Sequence, residues 1–133
     1  MFQTAVPVLQ ARVSSAAEKF YCRGLGFTLL SSWPSTETHP DPRYLTLVRD
    51  GARLHVHSFQ GAGAGASAVY VFVDDVNSLY TELLSHGVNV STAPLDQEWG
   101  TREIAVRDPD GNVVTFGQRI NTTGDVAESS TTR

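Results

Sequence analysis

The chain has 133 residues, enough for one ordinary domain and too few for two independent cores, so any internal duplication has to share one core. Apolar residues make up 41% and charged residues 18%, with 6 Phe, 4 Tyr and 2 Trp, a composition that excludes wholesale disorder. Lys plus Arg number 10 against 14 Asp plus Glu, a formal charge of -4 that disfavours nucleic acid as a partner and tolerates a cationic ligand.

Residues 5–11 (AVPVLQA) read as an opening strand, with Pro7 tolerated where its missing N–H is not needed. Ser14 or Ser15 is expected to cap a helix running to about Arg23, with Ala16, Ala17, Phe20 and Tyr21 at helical spacing and Gly24 or Gly26 ending it. Phe27–Trp33 reads as a strand and residues 34–42, with three prolines, as a loop. Tyr44–Arg49 and Arg53–Phe59 follow as two strands joined at Asp50-Gly51, a strong hairpin signal. Residues 60–66 (QGAGAGA) read as a flexible linker. Val69–Val73 is a strand, Asp75 or Asn77 caps a helix carrying Leu79, Tyr80, Leu83 and Leu84, and His86-Gly87 ends it. Val88–Thr92, Arg102–Arg107 and Val113–Gln118 complete the strands, the last two joined by Asp108-Pro109-Asp110-Gly111-Asn112. The polar tail 121–133 is expected to be disordered.

Both halves therefore read β-α-β-β-β. Phe20-Tyr21 aligns with Leu79-Tyr80, Gly26 with Gly87, and Asp50-Gly51 with Asp110-Gly111 at a nearly constant offset, which marks a tandem repeat. The fold class is α+β, with modules at about 4–59 and 67–119 in a single domain spanning 1–120. The single cysteine, Cys22, excludes an intramolecular disulfide. The N-terminal residues lack the basic and apolar regions of a secretory signal, so a cytoplasmic chain is expected. No stretch approaches the roughly 18 apolar residues of a membrane span, and no membrane partner is expected.

Phe20-Tyr21 with Leu25-Gly26-Phe27, then Val73-Asp74-Asp75-Val76, then Arg107-Asp108-Pro109-Asp110-Gly111-Asn112 resemble the vicinal oxygen chelate superfamily, which includes glyoxalases, extradiol dioxygenases and bleomycin-resistance proteins. The similarity runs from about residue 3 to 119. Ala5-Val6-Pro7-Val8-Leu9 and Trp99-Gly100-Thr101-Arg102-Glu103 resemble the bleomycin-resistance branch in particular. The resemblance implies curled sheets forming a cup-shaped cavity, and a homodimer whose subunits complete the ligand site. Members usually carry an acidic residue just before the first helix, where this chain has Val13.

Metal-dependent members place inward-facing His or Glu ligands on the first, fourth, fifth and eighth strands. Those positions fall here on Val6, His55, Ala68 and Thr115, of which only His55 binds a metal well. No metal, no other cofactor and no catalytic residue is therefore assigned. His55 and His57 alternate on one strand and share a face, so a different site completed by Glu103 or a partner subunit stays open as the alternative.

If His55 faces the cup, Leu54 and Val56 face the helices that supply Phe20, Leu79 and Leu83. The same alternation sends Tyr70 and Phe72 inward with Ala68, and Thr115 inward with Val113 and Gly117, the small residues leaving room for a ligand. Such a lining suits a flat aromatic ligand, which the rings stack on and the histidines hydrogen-bond. Trp33 and Trp99, in or beside loops, are candidate platforms, and Asp96, Glu98 and Glu103 form an acidic rim for a cationic tail. The expected function is a non-catalytic protein that sequesters an aromatic cationic antibiotic of the bleomycin type. The alternatives are a metal-dependent glyoxalase- or dioxygenase-like enzyme using His55, and a metabolite-binding module unrelated to resistance.

Overall fold

The structure is a computed structural model that describes residues 1–34, 40–59 and 66–120. Residues 35–39 of the expected loop, including His39, residues 60–65 of the expected linker and the tail 121–133 lie outside the described residues. The chain is α+β, with two four-stranded sheets and two helical segments among the described residues, and divides into two compact units: Met1–Val69 with Arg107–Val113, and Tyr70–Val106 with Val114–Arg133. Among the described residues no helix is long and apolar enough to cross a membrane.

In the first unit the sheet order is β1-β4-β3-β2, formed by β1 (Val8–Gln10), β2 (Thr28–Trp33), β3 (Tyr44–Arg49) and β4 (Ala52–His57). β1 runs parallel to β4, with Val8 beside His55 and Gln10 beside His57. It is shorter than the expected 5–11 because Pro7 has no N–H to give the ladder and contributes only its carbonyl, which accepts from His55 N at 3.0 Å. The Asp50-Gly51 turn pairs Arg49 with Ala52 and so sets Tyr44 opposite His57 and Thr46 opposite His55. β4 stops at His57, two residues before the expected end: the Ser58 N–H still donates across to the Arg43 carbonyl, but the Arg43 N–H goes to the Ser58 hydroxyl instead of a backbone carbonyl, and the Phe59 N–H goes to the His57 ring.

α1 (Ser14–Glu18) continues as a π-helical stretch (Lys19–Gly24). Contrary to expectation, neither Ser14 nor Ser15 caps it: Val13 holds the cap position without a side-chain bond, and the Ser14 N–H is accepted by Asp41 Oδ1 at 2.9 Å. The acidic residue missing before this helix is thus supplied from the segment preceding β3. Asp41 also accepts from the Ser58 hydroxyl. Burial raises its carboxyl pKa, but the hydrogen bonds from Ser58 and Ser14 with the Arg43 charge hold it below the usual carboxylate range.

α1 packs on β3 and β4, burying Leu9, Leu45, Leu47, Leu54 and Val56 with Ala17, Leu25 and Phe27. The aromatic residue of the helical segment in this core is Tyr21, fully buried, and not the expected Phe20, which is half-buried. The Tyr21 hydroxyl donates to Asp108 Oδ2 at 2.8 Å. Asp108 also accepts from the backbone N–H groups of Asp110 and Asn112 and from the Asn112 side-chain amide, so the 108–112 turn is organised around one buried carboxylate.

The second sheet has the order β5-β8-β7-β6, from β5 (Ala68–Phe72), β6 (Leu95–Asp96), β7 (Thr101–Arg107) and β8 (Val113–Arg119). α2 (Val76–Ser85) is capped by Asp75, which accepts from the Ser78 N–H at 3.0 Å. It ends at Gly87, φ 80°, with Val88 N bonded to Leu83 O and Gly87 N to Leu84 O, the paired bonds of a Schellman stop. Residues 88–92 are not the expected strand: Val90 makes one isolated bridge to Val106, the chain bends before Pro94, and ladder pairing starts only at Leu95 opposite Glu103. Among the described residues, Val76, Leu83, Val88, Ile104, Val106, Val114 and Phe116 are the buried apolar residues of this unit.

Candidate functional site

Each unit carries a cluster of aromatic and polar side chains on a sheet face that the core does not use. In the first unit, β3 and β4 bury Leu45, Leu47, Leu54 and Val56 on one face, and strand alternation places Tyr44, Thr46, His55 and His57 on the other. Five rings follow one another there. Trp33, the last residue of β2 and 63% exposed, stacks on Phe59 with centroids 5.9 Å apart; Phe59 lies 6.2 Å from His57; His57 stacks on Tyr44 at 5.6 Å; and Tyr44 meets His55 edge-on at 5.3 Å.

Polar bonds lock this row. The Tyr44 hydroxyl is 2.9 Å from His55 Nδ1, the Phe59 N–H donates to His57 Nδ1 at 3.2 Å, and the Gln10 amide donates to the Phe59 carbonyl at 2.9 Å. Arg43, buried, donates to the Pro34 carbonyl and the Ser32 hydroxyl and so fixes the end of β2 that presents Trp33.

In the second unit Gly100, at φ 96°, closes the hairpin between β6 and β7 and leaves Trp99 at its tip, 70% exposed. Three donors converge on Oε2 of Glu103: the Tyr70 hydroxyl at 2.8 Å, the Thr101 hydroxyl at 2.8 Å and the Trp99 indole N–H at 3.3 Å. Burial pushes the Glu103 carboxyl pKa up, but these hydrogen bonds outweigh it and keep the group below the ordinary range, so it is charged at neutral pH. Burial, followed by the Glu103 bond and charge, raises the Tyr70 phenol, against lowering contributions from Thr101 and Arg119. Phe72, 53% exposed, lies 4.9 Å from Tyr70, and the Arg119 guanidinium sits 3.9 Å above its ring.

The expected residues thus fall into two groups within separate units: Trp33, His55 and His57 in one, Tyr70, Phe72, Trp99 and Glu103 in the other. Thr115 on β8 is half-buried, and its hydroxyl has no hydrogen-bond partner among the described residues. Tyr44, Phe59, Thr101 and Arg119 join the clusters without having been singled out. Tyr44 was within reach, because the Asp50-Gly51 register alone puts it across from His57. Two expectations need correction. Gly117 does not leave room for a ligand: a β-carbon there would overlap the Tyr70 hydroxyl, so the space belongs to Tyr70. Asp96 does not add free charge to an acidic rim, because Arg102 pairs with it through bonds of 2.6 and 3.3 Å.

The metal that the resemblance implies does not fit the residues present. Val6 and Ala68 offer no donor, and among the described residues no three His, Cys, Asp or Glu side chains come together to hold an ion.

A sequence model of the Glyoxalase/Bleomycin resistance protein/Dioxygenase superfamily matches residues 7–116. A bleomycin resistance protein of Geobacillus stearothermophilus is 26% identical over 135 residues, covering 87% of this chain and 96% of the relative. Among solved structures, a bleomycin-binding protein complexed with bleomycin is 26% identical with a TM-score of 0.67, covering 89% of this chain and 99% of that one. An antibiotic binding protein, TnmS3 from Streptomyces sp. CB03234, is 29% identical with a TM-score of 0.67, covering 90% and 98%.

Proposed function

Since the chain belongs to the glyoxalase/bleomycin resistance protein/dioxygenase superfamily, we propose that it acts by binding and not by bond-making, holding a flat, positively charged aromatic antibiotic of the bleomycin type. The observation that carries this reading is the Trp99–Glu103–Tyr70 cluster: an exposed indole beside a carboxylate whose charge is fixed by three donors. A cation gains from the carboxylate and from the indole face together, and an aromatic group gains apolar contact area on the same indole. The donors are already in place, so little reorganisation opposes binding. Supporting the drug class are the bleomycin resistance relative and the bleomycin- and antibiotic-binding structures, all similar over nearly their whole length.

Sequestration needs no catalytic residue, because a protein in excess of its ligand lowers the free drug by mass action. Trp33, His55 and His57, with Tyr44 and Phe59, offer a second stacking surface in the first unit. The site acts in a homodimer. Calorimetric titration of metal-free bleomycin into the wild type and into Glu103→Gln tests the proposal. Saturable binding that weakens in the variant is expected; no binding, or equal binding by both proteins, counts against it.

A further inference from the structure

The ring row of the first unit carries more than stacking area. His57 Nδ1 accepts the Phe59 N–H at 3.2 Å, and an imidazole nitrogen that accepts holds no proton. The neutral ring therefore keeps its proton on Nε2. Among the described residues Nε2 has no hydrogen-bond partner, and no buried side-chain nitrogen or oxygen is left unpaired, so Nε2–H is open to solvent. It belongs to a row of rings in which His57 is inclined 8° to Tyr44 and Trp33 25° to Phe59, with 41° between His57 and Phe59.

We propose that His57 is a specificity-determining residue: its fixed Nε2–H selects, among flat aromatic ligands, those with a hydrogen-bond acceptor on the ring edge, a carbonyl oxygen or a pyridine-type nitrogen. The inference deepens the binding reading and rests on it. The physical reason is asymmetric. A ligand with an acceptor replaces the water on Nε2–H, whereas a hydrocarbon of the same outline covers that N–H and leaves it unpaired, which costs more than the bond itself gains. The ring cannot satisfy the ligand by exchanging its proton to Nδ1 without setting two N–H groups, its own and that of Phe59, against each other.

Coumarin and naphthalene are bicyclic probes of similar size, one with a carbonyl and one without. Titration of each into the full-length protein at about pH 8 is followed by NMR with the imidazole nitrogens labelled. The expected result is a proton on Nε2 of His57, and coumarin binding about tenfold more tightly than naphthalene although naphthalene is the more hydrophobic. His57→Phe keeps a ring but no donor and should reverse the preference; His57→Gln, which keeps an N–H donor, should restore part of it. A proton on Nδ1, naphthalene binding as tightly as coumarin, or an unchanged preference in His57→Phe overturns the inference. The wild-type protein alone decides the matter if a variant fails to fold. Loss of the probe preference with metal-free bleomycin still bound contradicts this inference only; no bleomycin binding with the preference intact contradicts the drug reading only.

Discussion

Tyr70 lies across Gly117. It starts on β5, passes over the glycine on β8 and places its hydroxyl 2.8 Å from Glu103 on β7, so one tyrosine links three neighbouring strands on the candidate binding face. Gly117→Ala should therefore evict Tyr70 from Glu103. Because Tyr70 is 42% exposed, its ring can swing outward, and the fold should lose no more than about 1 kcal/mol, the low end of overpacking costs. Ultraviolet titration of the tyrosines checks this: the raised Tyr70 phenol should return toward its ordinary range in the variant.

Glu103→Gln keeps the shape of the cluster and removes its charge. Affinity for metal-free bleomycin should fall about tenfold or more, in line with the ~1.5–3 kcal/mol of a hydrogen bond or contact to a charged group. Added salt should weaken the wild type more than the variant, since only the wild type uses a charge that is screened. Calorimetry at two ionic strengths reads both effects.

Tyr21→Phe removes the hydroxyl that donates to Asp108 within the first unit. Asp108 keeps three donors, so the turn should persist, with stability reduced by about 1–3 kcal/mol as for a buried bond to a charged acceptor. Urea denaturation monitored by circular dichroism measures the difference.

Asp41→Ala takes away the remote acceptor at the start of α1 and should cost about 1 kcal/mol, the usual worth of a cap. The pH dependence has a definite sign. A carboxyl whose pKa is lower folded than unfolded stabilises the protein above the unfolded value, near 3.9 for Asp, and that contribution is lost as pH falls through the folded value. The wild type should therefore lose stability more steeply than Asp41→Ala in that acid range.

Much of the architecture can be read from local signals. Asp50-Gly51 sets a register that holds through β3 and β4, Gly87 stops α2, Asp75 caps it, and alternation separates Leu54 and Val56 from His55 and His57. What sequence misses is supplied by tertiary partners. Asp41 reaches Ser14 from 27 residues away, so no pattern around the helix start shows the cap. Gly117 looks like free space on its own strand, and only the neighbouring strand shows that Tyr70 fills it. Val88–Thr92 has the alternation of a strand, yet pairing at the sheet edge goes to Leu95–Asp96. The clusters are legible in their aromatic members; their polar locks, Thr101 on Glu103 and Phe59 N–H on His57, depend on strand geometry.

In the proposed function Trp99 and Glu103 hold an aromatic cation, and Trp99 can report on it directly. Titration of metal-free bleomycin into the Trp33→Phe protein, where Trp99 is the remaining tryptophan, should give saturable fluorescence quenching that Glu103→Gln shifts to higher drug concentration. No change in emission up to about 1 mM, an affinity of only ~4 kcal/mol and too weak for sequestration, would contradict it.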